Sequence, residues 1–207
     1  MKQELPERKE WTVRVVRVFA RCCLALLFRV RVTGEERLPR GSAFVLLAKH
    51  QRWEDIPLLG LASPMSLYYV AKAELFRTRA AAWLLASLGG IPLNRERPLE
   101  SRRFLRKMLG QLRCGRGVVI FPEGTYYRGR MGPGRVGLAR MVITRSPVPV
   151  VPVGVKYTSG CWRTEVRISF GEPIDPGNEG GAEEFVGRVM KEIARLSDMP
   201  PGPPVVK

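Results

Sequence analysis

Apolar positions along this chain follow two different periods. Between residues 11 and 28 they recur at helical spacing, and at 100° per residue Arg14, Arg17, Arg21 and Arg29 fall within an arc of roughly 120°. The opposite side carries Val16, Phe19, Ala20, Cys23, Leu26 and Leu27, without a charge. From residue 29 onward, short β-branched runs alternate with helical patterns, which predicts an α/β domain. The predicted strands are Arg29–Thr33, Ala43–Ala48, Leu67–Ala71, Gly117–Phe121, Val148–Lys156 and Glu165–Phe170. Val45-Leu46-Leu47 and Val118-Val119-Ile120 are continuously apolar, as expected of strands covered on both faces. Helices are predicted over Asp55–Ala62, Glu74–Leu88, Leu99–Cys114, Arg135–Thr144 and Ala182–Leu196.

This order predicts a central, mostly parallel or mixed sheet flanked by helices. With 207 residues and 45% hydrophobic content, the chain can bury one substantial core and is short for two. The expected organisation is an N-terminal amphipathic segment over 1–28, a domain over 29–198 and a loose, proline-rich tail over 199–207. Glu4, Glu7 and Glu10 are wrong for the n-region of a signal peptide. The longest apolar run in the first thirty residues, Cys22–Phe28, has seven residues, whereas spanning a bilayer takes ~20. Insertion would also bury arginines at a few kcal/mol each. A helix lying in the membrane surface fits better, with Trp11 as an interfacial anchor. An ordinary core-packing helix is the alternative, but its solvated face would normally mix both charge signs.

A net charge of +16 calls for a polyanion: nucleic acid, an anionic membrane face or a phosphorylated substrate. The rival reading is a non-enzymatic basic protein binding nucleic acid, supported by the charge and the arginine-rich helices. Against it, no helix-turn-helix, zinc finger or RNA-binding aromatic signature is recognisable. The four cysteines, Cys22, Cys23, Cys114 and Cys161, form no C-x-x-C pair, and there is one histidine. Free thiols are expected, with no metal site and no cofactor.

That histidine, His50, follows a buried-looking strand at its carboxyl end, where open α/β sheets place their ligands. Asp55 follows five residues later and, with Pro57 in the first turn, is suited to open the next helix. On one continuous helix the two side chains would diverge by about 140°. A strand-to-helix turn lets them face each other, so that the carboxylate accepts the Nδ1 proton and Nε2 becomes a general base. Spacing alone would make the pair a chance occurrence. A second stretch, Phe121-Pro122-Glu123-Gly124-Thr125, also ends a predicted strand. There Pro122 stops the ladder and Gly124 permits an unusual turn. A third, Gly89 to Arg95, presents an arginine from a Gly/Pro-shaped turn, suited to a phosphate contact.

Together these stretches resemble the glycerophosphate acyltransferase superfamily, most closely the 1-acylglycerol-3-phosphate acyltransferases. The H-x-x-x-x-D box is His50 to Asp55, the second block ends at Arg95, F-P-E-G-T is Phe121 to Thr125, and the V-P-V strand is Val151 to Val153. The resemblance runs from about Val32 to Pro173. It implies direct attack of an acceptor hydroxyl on the thioester of acyl-CoA or acyl-carrier protein, activated by His50 and Asp55. No covalent acyl-enzyme is required. It also implies a peripheral protein at the cytoplasmic face of the membrane. Arg95, Glu123, Gly124 and Thr125 would hold the acceptor's phosphate, with lysophosphatidic acid the expected acceptor.

Two departures bear on that acceptor. Lys49 stands where the family has asparagine, and Tyr126-Tyr127 replace the arginine and serine after F-P-E-G-T. Either Arg128 or Lys49 reaches in as a compensating cation, or a different lysolipid head group sits against the tyrosines. A rival from another class is a cysteine hydrolase pairing Cys114 with His50.

Overall fold

The computed structural model describes residues 10–94, 98–137, 140, 145–146, 148–176 and 181–206. Along the chain come α1 (Glu10–Leu27), β1 (Phe28–Thr33), β2 (Phe44–Ala48), α2 (Asp55–Ala62), β3 (Leu67–Lys72), α3 (Arg79–Ser87), β4 (Gly90–Leu93) and α4 (Pro98–Arg113). They are followed by β5 (Gly117–Ile120), β6 (Val150–Thr158), β7 (Thr164–Phe170) and α5 (Ala182–Leu196). The seven strands form one sheet in the order β1-β7-β6-β2-β5-β3-β4. Every pairing is parallel except the antiparallel β6–β7 hairpin. The α/β fold with a mostly parallel, mixed sheet is therefore the observed one.

β2 lies at the centre, and all five of its residues are buried. Side chains alternate between faces along a strand. Val45 and Leu47 accordingly join one core cluster, with Phe104, Met108 and Leu112 of α4 and Phe185, Val189 and Ile193 of α5. Phe44, Leu46 and Ala48 join the other, with Leu24 of α1 and Leu58, Leu59 and Ala62 of α2. Helices thus cover both faces. On β6, Gly154 lets α5 approach, since a Cβ there would fall 2.4 Å from the Leu196 carbonyl carbon.

Several expectations are corrected. Gly90–Leu93, read as a turn, is the edge strand β4. Proline is confined within sheets to edges and bulges, and Pro92 occupies such an edge, opposite Ala71. The helix expected from Glu74 to Leu88 divides into a 3-10 turn at Ala73–Phe76 and α3, which Thr78 caps by accepting from the Ala81 N–H at 3.2 Å. Much of the helix expected over Arg135–Thr144 lies outside the described residues. The expected loose tail is tied down. Val206 exchanges backbone hydrogen bonds with Gly134 and Val136, at 2.8 and 2.9 Å, and Met199 and Val205 pack on the core.

The orientation of α1 also differs. Val13 and Leu24 are buried and Val16 and Ala20 are half-buried, which seats that side on the body. The exposed apolar strip is instead Trp11, Val15, Val18, Phe19, Cys22 and Leu26, within an arc of about 100°. Arg17 leaves the polar stripe to donate to the Ser63 carbonyl at 2.9 Å, at the end of α2. Arg29 belongs to β1, not to the helix. No helix among the described residues is long and apolar enough to cross a membrane.

Candidate active site

β2, β5 and β6 run side by side and parallel, so their carboxyl ends share one edge of the sheet. His50 follows β2, the Phe121–Thr125 turn follows β5, and Tyr157 lies near the end of β6. Asp55 opens α2, and the intervening turn brings its Oδ2 to 3.0 Å from His50 Nδ1. The same oxygen accepts from the Gln51 and Arg52 N–H groups, at 2.6 and 2.8 Å. Oδ1 accepts from the Tyr157 hydroxyl at 2.6 Å. With Asp55 fully buried, its charge is met by four donors. As an acceptor it selects the tautomer with the proton on Nδ1 and leaves Nε2 as a lone pair.

The imidazole is clamped as well as oriented. It stacks on Phe121, with centroids 3.8 Å apart and planes at 17°, and meets Tyr126 edge-on at 4.4 Å. Among the described residues Nε2 has no protein hydrogen-bond partner. Burial, then the Asp55 charge, pushes the Tyr157 hydroxyl well above its ordinary pKa, so it remains a donor.

Lys49 and Glu123, expected near the acceptor, are buried and do not line the cavity that His50 borders. They are 0% and 1% exposed and pair with each other, Nζ lying 2.8 and 2.7 Å from the two carboxylate oxygens. Glu123 also accepts from the Gly132 N–H at 2.6 Å and the His50 N–H at 3.1 Å. Lys49 donates further to the carbonyls of Tyr127 and His50. Burial holds the Lys49 ammonium below its usual pKa, with Glu123 and then Asp55 partly offsetting it. This pair fastens the turn after β5 to the turn after β2. Gln51 adds a second tie, donating to Val155 O at 2.7 Å and accepting from Gly129 N at 2.8 Å.

His50 lines a cavity of about 480 Å³. Gly124, Thr125 and Tyr126 line it from the β5 turn, where Gly124 adopts φ 72°. Among the described residues its apolar wall comes from Ile56, Val70, Leu75, Leu93 and Phe121, and its charged groups are Lys72, Glu74 and Arg135. Arg128 is exposed and does not line the cavity, nor does Tyr127, which packs over Gly132. Arg95 lies outside the described residues. Cys114 precedes β5 and therefore stands at the opposite edge of the sheet from His50, which removes the cysteine–histidine pairing.

Sequence reasoning missed Tyr157, Lys72 and Arg135. A signal for Tyr157 was present: Val151, Val153, Val155 and Tyr157 alternate along β6 toward the face that covers α2. Nothing local marked Lys72 or Arg135 among the chain's 35 basic residues.

A model of the Acyltransferase family matches residues 29–156. The chain is 36% identical over 138 residues to the lyso-ornithine lipid O-acyltransferase of Pseudomonas aeruginosa, covering 67% of this chain and 51% of that protein. Against the 1-acyl-sn-glycerol-3-phosphate acyltransferase of Bacillus subtilis it is 30% identical over 158 residues, covering 73% and 76%. The crystal structure of the 1-acyl-sn-glycerophosphate (LPA) acyltransferase from Thermotoga maritima superposes with a TM-score of 0.72. That pairing is 26% identical and covers 90% of this chain and 78% of the other. The chain spans about half the length of several curated relatives it matches.

Proposed function

Because this chain belongs to the Acyltransferase family, we propose that it transfers a fatty acyl group from an acyl-CoA or acyl-carrier-protein thioester to the hydroxyl of a lysolipid. The observation that carries this reading is the His50 Nδ1–Asp55 Oδ2 contact of 3.0 Å at the wall of a cavity with an apolar side. His50 Nε2 takes the acceptor's hydroxyl proton as that oxygen attacks the thioester carbonyl. The carbon–sulfur bond then breaks, and the thiolate leaves with the proton from the imidazolium. The products are an ester and a free thiol. Asp55 stabilises the transient imidazolium, and Tyr157 and the Gln51 and Arg52 amides hold Asp55 in place.

The acceptor we infer is lysophosphatidic acid, its phosphate held by Lys72, Arg135 and the Gly124–Thr125 turn. Charge-assisted contacts of this kind suit a phosphate. Lys49 and Glu123 act on acceptor binding only by holding that turn in place. A second reading, lyso-ornithine lipid, draws on Glu74 in the same cavity and on Tyr126 where the resemblance expects an arginine. An ornithine head group carries an ammonium for Glu74 beside its carboxylate. Residues 29–198 would carry the transfer and residues 1–28 would hold it on the membrane surface.

Transfer of label from an acyl thioester to a panel of lysolipids tests both levels. The expected ranking puts lysophosphatidic acid first. A ranking led by lyso-ornithine lipid would favour the second reading, and labelling of no acceptor would refute the activity. His50→Ala should lower kcat by about 10²–10⁴-fold. Folded variant retaining more than about a tenth of wild-type kcat would remove His50 from its role as base.

A further inference from the structure

Trp162 is 96% exposed, at the tip of the β6–β7 hairpin. An indole is among the largest apolar surfaces a chain can bury, and its N–H suits it to sites where one end is wet. Its surroundings indicate what would cover it. In the register of the sheet, Phe28 pairs with Thr164. The end of α1, with Leu26 and Leu27 at 72% and 62% exposure, therefore arrives beside the hairpin tip. Arg29 of β1 shares a surface concavity of about 420 Å³ with Cys161, Trp162 and Arg163. Glu165 also borders it, in ion-pair contact with Arg31 at 2.5 Å, at an angle unsuited to a hydrogen bond. With that carboxylate paired, the charge left beside Trp162 is that of Arg29 and Arg163. β6 also runs parallel to β2, so the hairpin leaves the sheet at the edge that holds His50.

We propose that the β6–β7 hairpin tip is a second lipid-surface anchor, with Trp162 inserted at head-group level and Arg29 and Arg163 on anionic head groups. The exposed strip of α1 is the first anchor, and Leu26 and Leu27 join the two. A helix lying alone in the interface leaves the body free to roll about the helix axis. A second contact at the sheet's edge stops that roll and turns the cavity toward the bilayer. Linked contacts also strengthen one another, because the second forms at high effective concentration. This inference rests on the lipid acceptor proposed above.

The test is partition of the full chain onto phosphatidylglycerol vesicles, measured by sedimentation. Trp162→Ala should lower the partition coefficient roughly tenfold, in keeping with the area of an indole withdrawn from water. Arg163→Ala should lower it several-fold at low salt and little at high salt, as screening dictates. The site is fully exposed, so folding should be unaffected, which near-ultraviolet circular dichroism checks. Turnover of a short-chain, water-soluble lysolipid by Trp162→Ala should match wild type, since the hairpin does not line the cavity that holds His50. Unchanged partition of Trp162→Ala would overturn the anchor, as would a Trp162-dependent dimer in sedimentation velocity whose loss left partition intact. If no acceptor were acylated but Trp162→Ala still weakened partition, the acceptor reading would fall and the anchor would stand.

Discussion

Replacing Tyr157 with phenylalanine removes a single oxygen and keeps the ring. The ring's edge-on contact with Phe28, at 6.2 Å, and its place beneath the Arg52 guanidinium, at 4.5 Å, are retained. What is lost is the 2.6 Å hydrogen bond to Asp55 Oδ1. Oδ2 keeps His50 Nδ1 and two backbone amides, so the carboxylate stays anchored on one side. Asp55 is fully buried, and a hydrogen bond to a charged group contributes roughly 1.5–3 kcal/mol net. Urea unfolding should therefore show a loss of about 2 kcal/mol. The pH dependence has a defined sign. Burial and the Asp55 charge raise the folded-state pKa of Tyr157 above its ordinary 10.0. A group raised in this way stabilises fully below its unfolded pKa and loses that stabilisation as pH rises. The gap between wild type and Tyr157→Phe should be flat through neutral pH and shrink above 10.0. In turnover, a loosened Asp55 lets the imidazole drift, and sub-ångström misplacement is worth about tenfold in kcat. The acceptor KM should not move, since Tyr157 does not line the cavity. A stability change below about 0.5 kcal/mol together with unchanged kcat, or a KM effect at constant kcat, would refute this role.

Asp55→Asn should lower kcat by up to about 10⁴-fold, because an amide no longer selects the productive tautomer; single-turnover transfer reads this directly. Lys49→Met should cost about 3–5 kcal/mol in denaturant unfolding, the penalty of leaving one charge of a buried pair alone. Adding Glu123→Gln should recover part of that loss, and a double variant no more stable than Lys49→Met would argue against the pair. Arg135→Ala should raise the acceptor KM by roughly tenfold or more, the worth of one charge-assisted contact, while the donor KM stays put in steady-state kinetics.

Local patterning alone determined much of this protein. Short continuous apolar runs between turn signals suit a strand covered on both faces when β-branched residues enrich them. β2 and β5 therefore lie where Val45-Leu46-Leu47 and Val118-Val119-Ile120 place them. The turn from β2 into α2 was equally legible, because Asp55 and Pro57 are helix-start residues. The facing of His50 and Asp55 follows from that turn. Gly124 was legible as a turn residue and adopts φ 72°.

Only the tertiary structure decided which distant residues meet. Lys49 and Glu123 are 74 positions apart, and Asp55 and Tyr157 are 102 apart. Each pair depends on β5 and β6 both flanking β2, a strand order that no local period encodes. Lys49 and Glu123 are buried against each other, and among the described residues the cations that line the cavity are Lys72 and Arg135. The Gly/Pro stretch at 90–93 became a strand only because β3 offered an open edge that tolerates proline. The roll of α1 was settled the same way. Its sequence is apolar around more than half its circumference, and α2 and α3 determine which part is covered and which faces outward.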